Sequence, residues 1–484
     1  MDRIDRRNRA PLGRQIYERV CKAIDTGLLA PGARVASARA LASELGVARG
    51  TVEAAYQRLA GEGYLLARGP AGTIVSPNLP YTPRAGRAEA AAGTGRLVPM
   101  SKPAAKSATP APMPLQLGIP ALDAFPRKLW SRLAARRVRM TLPADLTYGD
   151  PCGEPALRQA IAAYLHVSRG VACDAEQVFV TAGYRASLAL AAGVLLERGD
   201  SVWIEDPCYP PTRAVLEQAS LICTPVPVDE EGMAVAEGER CAPRARLAVV
   251  TPSHQAPLCV SMTVARRLAL LDWASRAKAW VLEDDYDGEF HYAGPTLPAL
   301  KSLDADDRVI YAGSFSKVLF PSLSLGYLVA PKAVAARFAQ AMEAGPSRSP
   351  RLEQMTVADF LTGGHFARHL KKMRLLYSRR RAWFADALHE VFGDRVQVDQ
   401  TRGGMHLVVR VQAKAGDRTL ARRAQRGGMN CQALSERHAK PRRRDQALLM
   451  GFTNVATQSE ARQISRRLRD AFVRDRSGSI AIQA

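Results

Sequence analysis

The sequence predicts an α/β protein of two folded units, a small N-terminal helical unit with a β-hairpin and a long unit in which strands alternate with helices. Three observations carry this. The chain has 484 residues, too many for one ordinary core. A stretch rich in Gly, Ala, Pro and Arg, residues 77–113, lacks large apolar periodicity and reads as a flexible linker. Beyond it, short apolar runs alternate with helical patterns, as in an α/β sheet.

The first unit spans 10–76. Ile16, Val20, Ala23 and Ile24 recur at helical spacing, and Pro31 and Gly32 then break the helix. Ser37 is placed to cap a second helix running to Leu45; after a turn at Gly46, a third runs from Ala48 to Gly61. That spacing is a helix-turn-helix. "GYLLARGPAGTIVS" follows as two β-rich runs around Gly69, Pro70 and Gly72, a hairpin wing. The third helix opens with Arg49, Gly50 and Thr51, so a long cationic donor and a hydroxyl stand at the end that enters a major groove first. Arg49 is placed to read guanine or grip phosphate, with Arg34 and Arg39 flanking it on the backbone and Thr73 touching phosphate from the wing. A net charge of +22 favours a polyanionic partner, here double-stranded DNA. The run Lys440, Arg442, Arg443 and Arg444 reads instead as a solvated surface.

Composition excludes several classes. The eight cysteines are scattered without a C-x-x-C pair, which suits reduced thiols better than a disulfide framework. His365 and His369 stand at i, i+4 but lack the glutamate of H-E-x-x-H, so no metal site is expected. The N-terminus has no apolar h-region, and runs such as Leu188 to Leu196 fall short of a membrane span. The expected location is the cytoplasm, with no membrane partner.

The long unit spans 114–474. Candidate strands are Gln177 to Thr181, Ser201 to Glu205, Leu247 to Thr251, Trp280 to Asp284, Val309 to Gly313 and Leu325 to Val329. From about Arg351 a long basic helix, a strand from His406 and a last helix from Ser459 read as a smaller α+β subdomain. Four chemical groups stand at loop positions after these strands. Lys317 lies in "SFSKVLFPSLSLGY" among small and apolar residues, Asp284 and Tyr286 end another strand, and Tyr209 lies in "EDPCYPP". "TAGYRASLAL" turns through Gly183 into a helix whose first amides, at Tyr184 and Arg185, point outward as an anion site, and Ser314 and Ser316 add hydroxyls. Together these are what pyridoxal phosphate needs: an amine for the Schiff base, a carboxylate for the pyridine nitrogen, a donor for the ring oxygen, a stacking ring and a phosphate cup. Ligands of open α/β sheets gather at that edge.

The N-terminal segment resembles the GntR-type winged helix, which assigns DNA contact to Arg39, Arg49, Thr51 and the wing. With "YGDPCGEPALRQAIAAYL", "WIEDPCYPP", "TPSHQAP", "LEDDYDGEF" and "YAGSFSKVLFPSLSLGY" behind it, the chain resembles the MocR family of regulators over nearly its whole length. The resemblance implies a fold-type I aminotransferase-like unit with large and small domains and a homodimer. It also implies Lys317 as the Schiff-base residue, Asp284 on the pyridine nitrogen, Tyr286 on the ring oxygen, Tyr209 stacking, and His254 and Gln255 near the ring. The function implied is transcription regulation, with pyridoxal phosphate or a small amine or amino-acid effector sensed through Lys317.

The sequence departs from the family in three places. Ser324 stands where an arginine usually pairs with the cofactor phosphate, so binding should weaken, with Arg185 expected to compensate in part. Cys259 stands where glycine is common, so an altered loop backbone is expected. Members that sense γ-aminobutyrate carry arginines after the stacking tyrosine and before the late "GF" strand; here Pro210, Pro211 and Asp445 take those places, leaving Arg444 as the candidate partner of an effector carboxylate. Two other readings stay open: a working aminotransferase with an appended DNA-binding head, and a regulator whose second unit no longer binds the cofactor.

Overall fold

The computed structural model describes residues 11–69, 72–77, 79, 112–292, 298–345, 349–399, 401–441 and 445–473. They fall in two compact units, Met1–Ser107 and Ala108–Ala484. Most of the 77–113 linker and the whole of Arg442, Arg443 and Arg444 lie outside the described residues.

In the first unit, helices α1 (Leu12–Asp25), α2 (Ala38–Leu45) and α3 (Arg49–Gly61) precede strands β1 (Leu65–Ala67) and β2 (Thr73–Val75). The helices pack through Ile16, Val20, Ile24, Leu41, Val52, Ala55 and Leu59, all buried. The Ser37 hydroxyl accepts from the Ala40 amide at 3.2 Å, and Gly46 ends α2 in the left-handed region. β1 and β2 pair antiparallel with Leu65 opposite Val75. Residues 32–35 add an unforeseen third strip: Gly32 and Val35 donate to Val75 and Thr73 carbonyls at 3.0 Å.

The second unit opens with α4 (Arg127–Met140), α5 (Pro155–Arg169), β3 (Val178–Thr181), α6 (Tyr184–Leu195), β4 (Ser201–Asp206) and α7 (Pro210–Gln218). It continues with β5 (Ile222–Asp229), β6 (Gly232–Met233), α8 (Val235–Cys241), β7 (Leu247–Val250), α9 (Val264–Arg276), β8 (Trp280–Asp285), β9 (Val309–Ser314), α10 (Phe315–Val318) and β10 (Gly326–Val329). These strands form one sheet ordered β3-β10-β9-β8-β7-β4-β5-β6. β5, β4, β7, β8 and β9 run parallel, and β10 runs antiparallel to both neighbours. β7, β8 and β9 are buried almost throughout, which is why they read as apolar runs without alternation. Trp203 stacks on Trp273 at 3.8 Å on one face.

β5 was not visible in the sequence because Pro225 and Pro227 interrupt it. Its Ile222 amide bonds to Asp200 on the β4 side, so alternate residues 225 and 227 turn outward and the missing donors leave the ladder intact. The expected long basic helix is two, α11 (Ala335–Ala344) being followed by α12 (Arg351–Thr362) and then α13 (His365–Phe392). Gly364, at φ 67°, makes the break. A four-stranded sheet ordered β11 (Val396–Val398), β12 (His406–Val411), β14 (Leu448–Gly451), β13 (Gln432–Ala433) completes the unit with α14 (Asp417–Arg426) and α15 (Gln458–Val473). No helix among the described residues is long and apolar enough to cross a membrane.

Replacing the α2 cap, Ser37→Ala, is expected to cost about 1 kcal/mol. Hydrogen exchange on the full chain should show the α2 and α3 amides losing that much protection while the second unit is unchanged.

Candidate functional site

The parallel strands β4, β7, β8 and β9 deliver their carboxyl ends to one edge of the sheet, and the predicted cofactor residues gather there. Asp284 is buried at the end of β8 and no hydrogen-bond partner reaches its side chain among the described residues. Burial first, then the Asp285, Asp287 and Glu205 carboxylates, push its carboxyl well above the usual range, while Lys317 opposes them. The Tyr286 hydroxyl is buried and likewise without a partner. Lys317 lies in α10 with its Nζ donating to the Gly118 carbonyl at 3.2 Å. Burial lowers its affinity for a proton against the pull of Asp284 and Asp287. Gly118 has φ 68°, a backbone conformation that favours glycine, and a Cβ there would crowd the Lys317 amine.

Tyr209 caps α7 and is 38% exposed, with its ring 6.1 Å from that of Tyr184. The Tyr184 hydroxyl is held by Thr212 at 2.7 Å. Gly183, at φ 99°, turns β3 into α6, leaving the amides of Tyr184 and Arg185 without intrahelical acceptors. Ser314 and Ser316 are half-buried beside Lys317, and neither hydroxyl has a partner among the described residues. The Arg185 side chain is exposed and lines an outer groove of about 710 Å³ with Ala189, Gly193, Pro210 and Ala214. Ser324 is exposed, at φ 46°.

His254 and Gln255 act on the loop more than on the open pocket. His254 Nδ1 bonds to Asp287 at 2.9 Å, and Gln255 Nε2 donates to Glu205 at 3.1 Å and to the Pro207 carbonyl at 2.8 Å. Burial raises Glu205 to about 7 although Thr251 and Gln255 donate to it. Cys259, expected to go with an altered loop backbone, has φ 57°, the left-handed region that glycine favours, so the cysteine bears strain there. Its Sγ packs 3.4 Å from His406 Nε2.

Sequence reading singled out one acid of "EDDYDGE" and missed the others. Glu283 accepts the Leu300 and Lys301 amides at 2.8 and 2.9 Å. Asp285 pairs with the buried Arg169 at 2.6 Å and accepts from the Tyr311 hydroxyl at 2.6 Å; against its burial, these hold it below the usual range. Glu289 accepts from the Tyr164 hydroxyl at 3.0 Å, its second oxygen buried without a partner. The available signal was the two-residue period of a strand, which turns Glu283 and Asp285 to the face opposite Asp284.

In the N-terminal unit, Arg39, Arg49 and Gly50 are exposed and Thr51 is half-buried at the opening of α3. Ser37 serves the helix cap. Arg49 Nε pairs with Glu53 at 2.7 Å on a surface where such a pair is worth only about 0.5 kcal/mol, which leaves Arg49 free to exchange it for a phosphate or a base. The Arg34 guanidinium lies against the wing, 2.9 Å from where a Cβ at Gly72 would stand, and Thr73 is half-buried in β2.

Residues 12–75 match the gntR family of bacterial regulatory proteins, and residues 132–444 match the class I and II aminotransferases. The chain is 36% identical over 476 residues to the probable rhizopine catabolism regulatory protein MocR of Rhizobium meliloti, covering 97% of this chain and 95% of that one. The chain belongs to the MocR family. This member is also 33% identical to the pyridoxine biosynthesis transcriptional regulator PdxR of Corynebacterium glutamicum, over 87% of each chain. The kynurenine aminotransferase of Pyrococcus horikoshii superposes on 74% of this MocR-family chain and 90% of its own, with a TM-score of 0.66 at 26% identity. Such a second unit implies pyridoxal phosphate binding, and the gntR-type unit implies DNA binding. The fit is concrete at three groups: among the described residues the Asp284 carboxyl has no hydrogen-bond partner, the Tyr286 hydroxyl is buried without one, and the Lys317 amine donates to the Gly118 carbonyl.

The acid network sets a pH dependence. Burial and the Asp285 carboxylate raise Glu289 to about 7. An unfolded glutamate releases its proton near 4.5, so between pH ~4.5 and ~7 the folded chain binds the extra proton and stability falls as pH rises. Glu289→Gln should flatten that decline by up to ~1.4 kcal/mol per pH unit. Urea unfolding read by tryptophan fluorescence tests it, because all five tryptophans lie in the second unit.

Proposed function

We propose that this chain is a DNA-binding transcription regulator whose second unit senses pyridoxal phosphate, or an amine or amino acid that reaches Lys317, and adjusts the DNA affinity of the head. Residues 10–76 serve as the head, 77–113 as the tether and 114–474 as the sensing unit, in the cytoplasm. The observation that carries the reading is the Tyr286 hydroxyl, two positions after Asp284, which is buried without a hydrogen-bond partner among the described residues. Burying such a hydroxyl unpaired costs about 1–3 kcal/mol, which a ligand oxygen would relieve.

In this reading Asp284 keeps a proton on the ring nitrogen, Tyr286 donates to the ring oxygen and Tyr209 covers one face. The Tyr184 and Arg185 amides and the Ser314 and Ser316 hydroxyls receive the phosphate, with His254 and Gln255 fixing the adjoining loop. When bound, pyridoxal phosphate supplies an aldehyde that amines condense with and a ring that withdraws electrons. Arg34, Arg39, Arg49, Gly50, Thr51 and Thr73 face DNA, Ser37 ordering the helix behind them. A homodimer is supported by exposed apolar side chains at Val138, Met140, Leu142, Leu146 and Tyr148, clustered in one stretch. Regulation is favoured over turnover because Ser324 leaves the phosphate without its usual arginine; the same residue supports the reading in which the cofactor is no longer held.

Mixing purified protein with pyridoxal phosphate should produce a visible absorbance band, absent in Lys317→Ala, and should change DNA affinity by about 5- to 150-fold in the wild type alone. No band would sink the sensing reading and favour the cofactor-free one. Arg49→Ala is expected to weaken DNA binding by about 1–3 kcal/mol, or to reduce the salt slope by about one ion if it contacts phosphate. Fluorescence anisotropy across a salt series separates the two.

A further inference from the structure

The proposed sensing site has lost both of the arginines by which relatives of another specificity hold a carboxylate, and the structure offers a different one. Arg437 closes the short helical turn Leu434–Arg437 that follows β13. That turn is fastened to the loop bearing Tyr209. The Cys208 amide donates to the Arg437 carbonyl at 3.2 Å, and the Ala439 amide donates to Asp206 Oδ1 at 2.8 Å. His438 Nδ1 stands 3.7 Å from the same carboxylate. Arg437 therefore belongs to the wall beside the aromatic ring, although it comes from the small domain.

Its side chain is half-buried and its pairing is incomplete. A guanidinium carries five N–H donors. Here the one hydrogen bond it donates is to Gln432 Oε1, and among the described residues it makes no ion pair. The neighbouring Glu436 lies 4.0 Å from Arg418 instead. Burial disfavours the charged form of Arg437, while Tyr209, Cys208 and Glu436 oppose that effect. A cation taken partly out of water without a counter-ion is costly, and the ligand that relieves it best is a carboxylate accepting two parallel hydrogen bonds. Gln432 fixes the fork in advance, which lowers the ordering cost of such a ligand.

We infer that Arg437 receives the carboxylate of the effector at the Tyr209 side of the pocket, so that the effector class is amino carboxylates and not simple amines. This rests on the sensing reading above, with Lys317 meeting the amino end. The carboxylate contact then moves from the tyrosine loop to the turn after β13.

The test uses the full chain saturated with pyridoxal phosphate and follows the visible band while glycine, L-alanine or L-leucine is titrated against methylamine, ethylamine or 3-methylbutylamine. Wild-type protein should respond to each amino acid at a concentration at least ten times lower than to its matched amine. Arg437→Gln should bring the amino acids to the amines' concentrations and leave the amine titrations unmoved, which also reports an intact pocket; Arg437→Lys should keep part of the preference. Equal responses in the wild type, or a preference that survives Arg437→Gln but disappears in Arg444→Gln, would overturn the assignment. A band that no amine perturbs would instead remove the sensing reading itself, and this inference with it.

Discussion

The cofactor edge of this protein depends on burying five acidic side chains, Glu283, Asp284, Asp285, Asp287 and Glu289, within seven residues of one strand end. Left ionised and unpaired, such a cluster would disrupt the sheet, because each buried charge carries a desolvation penalty of several kcal/mol. The fold disperses them instead. Arg169, at the end of α5, neutralises Asp285 at 2.6 Å, His254 takes Asp287, two backbone amides take Glu283, and Tyr164 takes Glu289. Of the five, Asp284 alone has no hydrogen-bond or ion-pair partner among the described residues, which leaves its carboxyl available to a ligand. Removing Arg169 would strand a buried charge, a change of about 3–5 kcal/mol in comparable pairs.

Much of this was legible in the sequence, for physical reasons that differ by element. The head followed from helical spacing, a serine cap and a glycine turn, all local signals. The buried strands β7, β8 and β9 were legible as short apolar runs, since strands covered on both faces need no alternation. β5 was not, because a proline is an obstacle to a strand only when its missing donor faces a neighbour, and the sequence does not tell which side that is. The residues holding the site from behind were also hidden. Arg169 and Tyr164 lie over a hundred residues from the acids they pair with, and Arg437 reaches the Tyr209 loop from the opposite end of the chain; no local pattern encodes such contacts.

Two non-glycine residues with positive φ lie in the loops around the strand ends. Cys259 and Ser324 occupy left-handed conformations at φ 57° and 46°, each a strain of order 1–3 kcal/mol that the surrounding packing must hold.

The outward-facing prolines of β5 have a consequence beyond the ladder they spare. β6 pairs with this margin at Val228 and Asp229 and the Ala234 amide donates to the Pro227 carbonyl at 2.8 Å, so the stretch from Ile222 to Val226 borders the sheet. An uncovered margin normally offers amide donors on which a foreign strand can grow. The donor at Pro225 is absent here, and an incoming chain would find a gap at that rung. The molecule is thereby steered away from fibre-like stacking through this sheet.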